Sequence, residues 1–511
     1  MVYMDADSYL ENEGIDDFIE MASVDSASNL NIVVQFDRYG GLYGAEDDIR
    51  YGNWTDAKRF VVTNGMTPTA DNATQDLEEV DMGDWGTLVD FVNWTVANYP
   101  ANHYALDLWD HGGDWYGLCW DYTSGTVMQL GDLASALWTL SSYHPTLVYD
   151  IIAFDACSMG SIEVAYELAG YADYMLGSEV YVPDDGLNYT SLQAIVDTPN
   201  ISTLDLCARF MTDYASYYYS LVGTPKEFML NESFSLSTVD LDKIDPLVLA
   251  IDALATEMIS NIDAWWDQIY MARNLTEDYA GWRQHDVVDI YHMSERLGEA
   301  LWFSSTAQGL ITDVMDAFNN SVVSEIHGTN PANCTLPVDH VHGLTVNYPG
   351  ADAYFDEMYL SVGNWFQSST QWDEFLVIAY IGRPYVAAWE PTGDSVLTDT
   401  VIVAWLSEPI ILMPNALRLY QTGQSGVWVE GDLSYFEPGH RLEFVPKVAL
   451  LPGVNYTVQC DIYDLQGNHV GFYWQFTTAA EIPEFPSLVQ PLLIVLAIVF
   501  FARAIGARTK T

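Results

Sequence analysis

Positive charge is what this chain has least of. Of 511 residues only 17 are Lys or Arg, against 72 Asp or Glu, which gives a formal net charge of −55. Lysine is reduced to Lys58, Lys226, Lys243, Lys447 and Lys510. A phosphate backbone needs a basic surface, so nucleic acid is excluded as a partner. The acids spread over every region, which reads as a solvated anionic shell suited to a salty or acidic exterior; attraction of basic substrates is a secondary reading. Cysteine is nearly as scarce. Cys119, Cys157, Cys207, Cys334 and Cys460 form no Cys-x-x-Cys metal pattern and no disulfide framework, although one bridge is allowed. No metal or cofactor is required by the sequence. No apolar leader precedes the first strand-like run, so a mis-assigned start or a clipped chain is expected to account for the missing signal peptide.

What is present points to chemistry at strand ends. Half of the residues are hydrophobic, and the length implies two or three domains with sizeable cores. The run Tyr104 to Trp109 leads into Asp110-His111-Gly112-Gly113, and Val148 to Phe154 leads into Asp155-Ala156-Cys157-Ser158-Met159-Gly160. Ligands of open α/β sheets collect beyond the carboxyl ends of parallel strands. A cysteine needs a nearby base to become a thiolate, and histidine supplies one near neutral pH. Glycines after the histidine let a substrate backbone approach and leave N–H groups for an oxyanion. The first half alternates apolar runs with amphipathic stretches, predicting βαβ units and a mainly parallel sheet. Helices are predicted from Trp85 to Val96, from Leu130 to Ser141 and from Ser161, the last placing Cys157 near a helix N-terminus. Residues 200–330 read as helix-rich, with one helical run from Ile251 to Met271. A strand is predicted over Gly343 to Tyr348 and a final helix over Trp372 to Tyr380.

These motifs, with Met1 to Asp7, Asn31 to Arg38, Gly177-Ser178-Glu179, His285 to Tyr291, Gly343 to Pro349 and Trp372 to Leu376, resemble the clostripain-like cysteine peptidases, relatives of caspases, gingipains and legumain. The resemblance implies a caspase-like α/β/α sandwich over residues 1–382. It implies a cysteine endopeptidase acting on polypeptides through a dyad: Cys157 as nucleophile, His111 as base and acid, and the N–H groups of Gly112 or Gly113 and of Cys157 as oxyanion donors. It also implies cleavage after Arg or Lys, with Asp155, Glu179, Asp184 and Asp185 as substrate-binding acids. Asp155 reads equally well as a turn or cap residue. Calcium is admitted by the resemblance alone. One departure stands out: several members cut themselves after a basic residue between the histidine and the cysteine, yet no Lys or Arg lies between Gly112 and Ala156. Two other classes stay open, a non-catalytic surface or adhesion protein and a transpeptidase using the same acyl-enzyme.

After Gly382-Arg383-Pro384 short strands separated by turns predict an all-β domain over 385–480, resembling prokaryotic Ig-like modules. A Pro-rich linker or sorting motif follows at 481–487, then an apolar stretch at 488–505 and a basic tail at 506–511. The stretch is near the lower limit for a transmembrane helix of about 20 residues, and its basic tail predicts a cytoplasmic end. The ensemble resembles archaeal C-terminal sorting signals, implying an anchor at the cell surface and a sorting enzyme as a partner. Ten Asn-x-Ser/Thr triplets fit an exported protein.

Overall fold

The computed structural model describes residues 1–40, 48–221, 224, 233–279, 287–328, 338–350, 358–362, 364–380, 386–406, 410–422, 428–436, 440–463 and 469–479. The chain divides into two compact units, Met1–Arg383 and Pro384–Thr511.

The first unit is organised by strands rich in apolar and β-branched residues. In chain order they are β1 (Val2–Ala6), β2 (Ile32–Arg38), β3 (Ala57–Val62), β4 (Gln75–Glu78), β5 (Ala105–Trp109), β6 (Gly117–Asp121), β7 (Thr126–Gln129), β8 (Tyr149–Asp155), β9 (Ala172–Gly177), β10 (Phe234–Asp240), β11 (Asp278–Tyr279), β12 (Val287–Asp289), β13 (Val322–Gly328) and β14 (Thr345–Asn347). Nine of them form one sheet in the order β13-β10-β9-β8-β5-β1-β2-β3-β4. Every residue of β1 and β2 is buried, the mark of strands covered on both faces. The five central strands, β2 to β9 in that spatial order, are parallel. The expectation of a mainly parallel sheet therefore describes the centre. Both flanks are antiparallel, β3 and β4 on one side and β10 and β13 on the other.

Helices cover both faces. On one, Ile15, Phe18 and Met21 of α1 (Glu11–Met21) and the helix Thr203–Ser220 share a core with Val2, Met4, Val34 and Phe36. On the other, Phe91 of α2 (Trp85–Asn98) lies 5.9 Å from the Tyr3 ring. Local sequence sets where these helices start. Asp84 caps α2 by accepting the Gly86 N–H at 2.6 Å, and Gln129 and Asp132 form a reciprocal capping box on α3 (Leu130–Tyr143). Ser161 caps α4 (Ile162–Leu168). The run from Ile251 to Met271 is not one helix. It is split between Ile244–Ser260 and Ile262–Leu275 by Asn261, whose backbone leaves helical geometry and whose side-chain amide donates to the Glu257 carbonyl at 2.9 Å. Apolar spacing continues across the break, which hides it from periodicity.

The second unit is all-β, as the sequence predicts. Its strands are β15 (Val386–Glu390), β16 (Gly393–Val396), β17 (Ile402–Leu406), β18 (Leu417–Gln421), β19 (Gly431–Phe436), β20 (Arg441–Pro446), β21 (Asn455–Tyr463) and β22 (His469–Thr478). They make two four-stranded sheets, β15-β17-β20-β19 and β16-β22-β21-β18. Among the described residues no helix is long and apolar enough to cross a membrane. The segments 481–487, 488–505 and 506–511 lie outside the described residues.

At the end of β2 the fully buried Arg38 donates through Nε to Glu11 Oε1 at 2.7 Å, and Glu11 Oε2 accepts the Asp48 N–H at 2.9 Å. Removing one partner strands a buried charge. Glu11→Ala is expected to cost about 3 kcal/mol, read as a lowered midpoint in denaturant unfolding. A midpoint unchanged from wild type would show that Arg38 needs no carboxylate.

Candidate functional site

The site is fixed by one register. β5 and β8 are adjacent and parallel, with Trp109 opposite Asp155. The Asp110 N–H still reaches the Asp155 carbonyl at 3.3 Å before the chains part. His111 and Cys157 therefore leave the sheet at the same level, and both line a cleft of about 360 Å³. The two loops touch through Gly112. A Cβ built there would stand 2.1 Å from the Cys157 carbonyl oxygen and 2.9 Å from its nitrogen, so no other residue fits without displacing the Cys157 backbone.

The predicted groups separate on inspection. His111 is half-buried with its Nε2 buried and unpartnered. Its ring packs against Tyr9, at 4.6 Å, and Tyr122, at 6.3 Å, which also touch each other at 6.2 Å. Burial pushes its pKa down to about 4, so the imidazole is neutral, and able to accept a proton, over the whole range above that. Cys157 Sγ accepts the Val182 N–H at 3.3 Å, and the thiol also points to the Val182 carbonyl at 3.8 Å. The N-terminus of α4 lies further along the chain, and Ser161 Oγ already accepts the Val164 N–H. The donor at the sulfur is thus a loop amide rather than the helix end. Of the predicted oxyanion donors, Gly112 and Cys157 line the cleft, whereas the Gly113 N–H is committed to the Gly117 carbonyl at 2.9 Å. Gly113 is corrected on this point, because the return of the chain into β6 uses its amide.

The predicted acids separate as well. Asp155 and Asp184 line the cleft. Asp155 is buried, and its Oδ2 accepts the Leu187 N–H and the Tyr189 hydroxyl, both at 2.9 Å. Burial raises its pKa to about 6 against the pull of those two hydrogen bonds. The Tyr189 hydroxyl also reaches Asp107 Oδ2 at 2.5 Å, and burial beside Asp155 pushes Asp107 up to about 7. Asp185 is not among the lining residues; it accepts the Tyr217 hydroxyl. Glu179 is placed elsewhere. It is buried, accepts the Gly343 N–H at 3.0 Å and faces Asp289, where burial and that neighbouring charge raise its pKa. It ties β9 to the strand-bearing segment around Gly343 instead of lining the cleft.

Sequence reasoning missed Tyr9, Glu13, Tyr181 and Val182 in the cleft wall and Tyr189 beneath it. Only Tyr9 carried a signal, as the aromatic just past the strand that ends at Ala6 and the acidic turn at Asp7. A larger depression of about 470 Å³ around Asn364, Gln367 and Asp373 is lined by neither cysteine nor histidine, so the smaller cleft is the chemical one. Among the described residues one carboxylate group, Asp7, Glu79 and Asp121, is spaced to hold a metal ion. The four described cysteines, Cys119, Cys157, Cys207 and Cys460, are free thiols, and Cys334 lies outside the described residues.

A model of the clostripain family matches residues 2–389. Clostripain of Hathewaya histolytica is 24% identical over 423 residues, covering 72% of this chain and 78% of the relative. A secreted C11 cysteine protease of Bacteroides thetaiotaomicron, solved with an irreversible peptide inhibitor, is similar at a TM-score of 0.53 and 20% identity, over 73% of this chain and 98% of that one. An inactive zymogen C11 protease of Parabacteroides distasonis gives 0.50 at 20% identity, over 74% and 96%. At such identities the solved structures speak for the fold.

The buried acids set a pH dependence. Asp107, Asp155 and Glu163 hold protons in the folded chain up to about 7, 6 and 7, whereas the unfolded chain releases them near 4. Their contribution is fully present below pH ~4 and is lost as pH rises through 6 to 7. His111 and His292, lowered to about 4, act oppositely between 4 and ~6.5 but are outnumbered. In chelator, the melting temperature is expected to be higher at pH 5 than at pH 8. The reverse order in a thermal scan would refute this balance.

Proposed function

The chain belongs to the clostripain family of cysteine peptidases, and from that premise we propose that it is a cell-surface endopeptidase that cuts polypeptides after Arg or Lys with Cys157 and His111. The observation that carries this reading is the shared cleft, in which the two side chains sit on loops pressed together at Gly112. Family membership sets aside the non-catalytic alternative.

In the proposed chemistry His111 accepts the thiol proton as Cys157 sulfur attacks the scissile carbonyl carbon. The Gly112 and Cys157 N–H groups receive the oxyanion. His111 then gives the proton to the leaving amine, and the carbon–nitrogen bond breaks to leave an acyl-enzyme. A water deprotonated by the same imidazole releases the acid. These steps draw on protein groups alone.

Basic specificity is supported by the lining. Glu13, Asp110, Asp155 and Asp184 are its charged members, and no Lys or Arg is among them. A guanidinium or ammonium entering this cleft meets Asp155 at the floor, held by Leu187 and Tyr189. An uncharged side chain would leave that carboxylate unpaired. Exterior location is supported by the anionic composition and the glycosylation triplets. The second unit, read as an Ig-like spacer, and the apolar stretch 488–505, read as an anchor or sorting signal, complete the proposal.

A cleavage profile on a peptide library tests it. Cys157→Ala is expected to abolish cleavage; activity above a few per cent of wild type would remove the nucleophile. For Arg and Lys substrates kcat/KM is expected to fall below pH 6, where Asp155 takes a proton. Asp155→Asn should lower it at least tenfold, about 1.4 kcal/mol, and erase that limb. An unchanged preference in this variant would transfer the role to Asp184.

The purified chain is also expected to stay one polypeptide between Gly112 and Ala156, where no Lys or Arg occurs. A defined nick there, found by mass spectrometry of active enzyme, would contradict basic specificity.

A further inference from the structure

Asp107 stands opposite Ala153 in the ladder of β5 with β8, so it shares a sheet face with Asp155, two residues further on. Tyr189 bridges the two acids, and all three side chains are buried. Its hydroxyl lies 2.5 Å from Asp107 Oδ2 and 2.9 Å from Asp155 Oδ2, yet it has one hydrogen to give. The second contact needs a second proton, and only a carboxyl can carry it. One acid must therefore donate to the tyrosine oxygen while the tyrosine donates to the other acid.

The remaining partners decide which is which. Asp155 Oδ2 also accepts the Leu187 N–H at 2.9 Å. Asp107 Oδ1 is buried without a partner. The negative charge belongs on the acid with two donors, and the proton on the acid with an empty oxygen. The hydrogens thus run from Asp107 to Tyr189 to Asp155.

The surroundings hold this proton in place. Asp17 and Glu20 of α1 face the pair as further acids, Asp17 accepting the Trp109 Nε1–H at 2.7 Å and Glu20 the Tyr189 N–H at 3.1 Å. From the helix Thr203–Ser220, Tyr214 and Tyr218 face Asp155, and from β6 the Cys119 thiol faces Asp107; burial keeps all three neutral. Asp184 lines the cleft with Asp155. The Met1 amino group pulls on Asp107 in the opposite sense. A second ionised carboxylate is opposed by this acidic field until a positive charge arrives. A guanidinium or ammonium on Asp155 supplies that charge. At 8% exposure Asp107 is buried without being sealed, so its proton has a way out.

We propose that Asp107 is the second acid of the cleft floor: it holds a proton while the cleft is empty and releases it to solvent when an arginine or lysine side chain settles on Asp155. The inference rests on the reading of Asp155 as the acid that meets a basic substrate residue. It makes Asp107 a positioning residue that acts through Tyr189 without touching substrate. The bound cation then lies over two negative charges instead of one, an advantage that no uncharged side chain shares.

Proton release on binding tests this, counted by titration calorimetry in two buffers of different ionisation enthalpy. The full chain is used as Cys157→Ala, so that nothing is cleaved. The probes are a hexapeptide amide whose only charged residue is arginine, and the same peptide with citrulline in its place. At about pH 6 the arginine peptide is expected to release roughly 1.4 protons and the citrulline peptide close to none. Adding Asp107→Asn, which keeps a donor toward Tyr189, should lower the count to about half a proton. At about pH 8 the same variant should bind the arginine peptide about tenfold more weakly. A count that Asp107→Asn leaves unchanged would overturn the proposal and pass the proton to Asp17 or Glu20. So would a count of about half a proton before that substitution, which would mean that Asp155 titrates alone. Either result, with arginine still preferred over citrulline, would leave the basic-substrate reading standing. Equal binding of the two peptides would remove that reading, and this inference with it.

Discussion

Everything about the cleft depends on the close approach of Gly112 to the Cys157 backbone. Parallel pairing of β5 with β8 brings the two loops to one level, but pairing alone would let them splay apart as the strands twist. The missing Cβ at position 112 lets one loop rest directly on the other. A contact between backbones is stiffer than one between side chains, since it has no rotamers to lose. The histidine ring can then be held by its aromatic neighbours, and the sulfur by an amide from a third loop, with little freedom left to either.

The second theme is the management of negative charge. The chain puts carboxylates at the ends of β1, β2, β5, β6 and β8 while having few cations to balance them. It uses two different solutions. Arg38 and Glu11 neutralise each other in the interior. Asp107 and Asp155 share the single proton of Tyr189, and their raised pKa values show that protonation takes over where hydrogen bonds run out. Asp5 and Asp37, whose carboxylate oxygens have no hydrogen-bond partner, rest on protonation alone, since burial pushes both well above the usual carboxylate range.

The sequence was most legible where local chemistry decides the outcome. Asp84, Gln129 and Ser161 announce their helices by capping, and the apolar runs ending at Trp109 and Asp155 announce their strands. It was least legible where distant segments converge. Asn261 breaks a helix without interrupting the apolar spacing. Glu179 sits in a motif close to the cleft in sequence, yet the turn after β9 carries it to Gly343. Gly113 looks equivalent to Gly112 until the hairpin of β6 and β7 claims its amide. Val182 and Tyr189 reach the site by tertiary folding, and no local pattern marks them.

The ladder between β5 and β8 has a consequence for covalent continuity. The residues that join His111 to Cys157 run out through a hairpin and α3 and then return, while the two strands they connect remain hydrogen-bonded neighbours. The peptide chain between them is therefore not what keeps the pair together. A break in that excursion would leave two fragments stitched by the sheet, with the spacing of the two side chains preserved. Topologically the unit behaves like a clasp whose two halves are moulded separately: the join is made by the interlocking parts, and the strap running around the back sets only how the halves first meet.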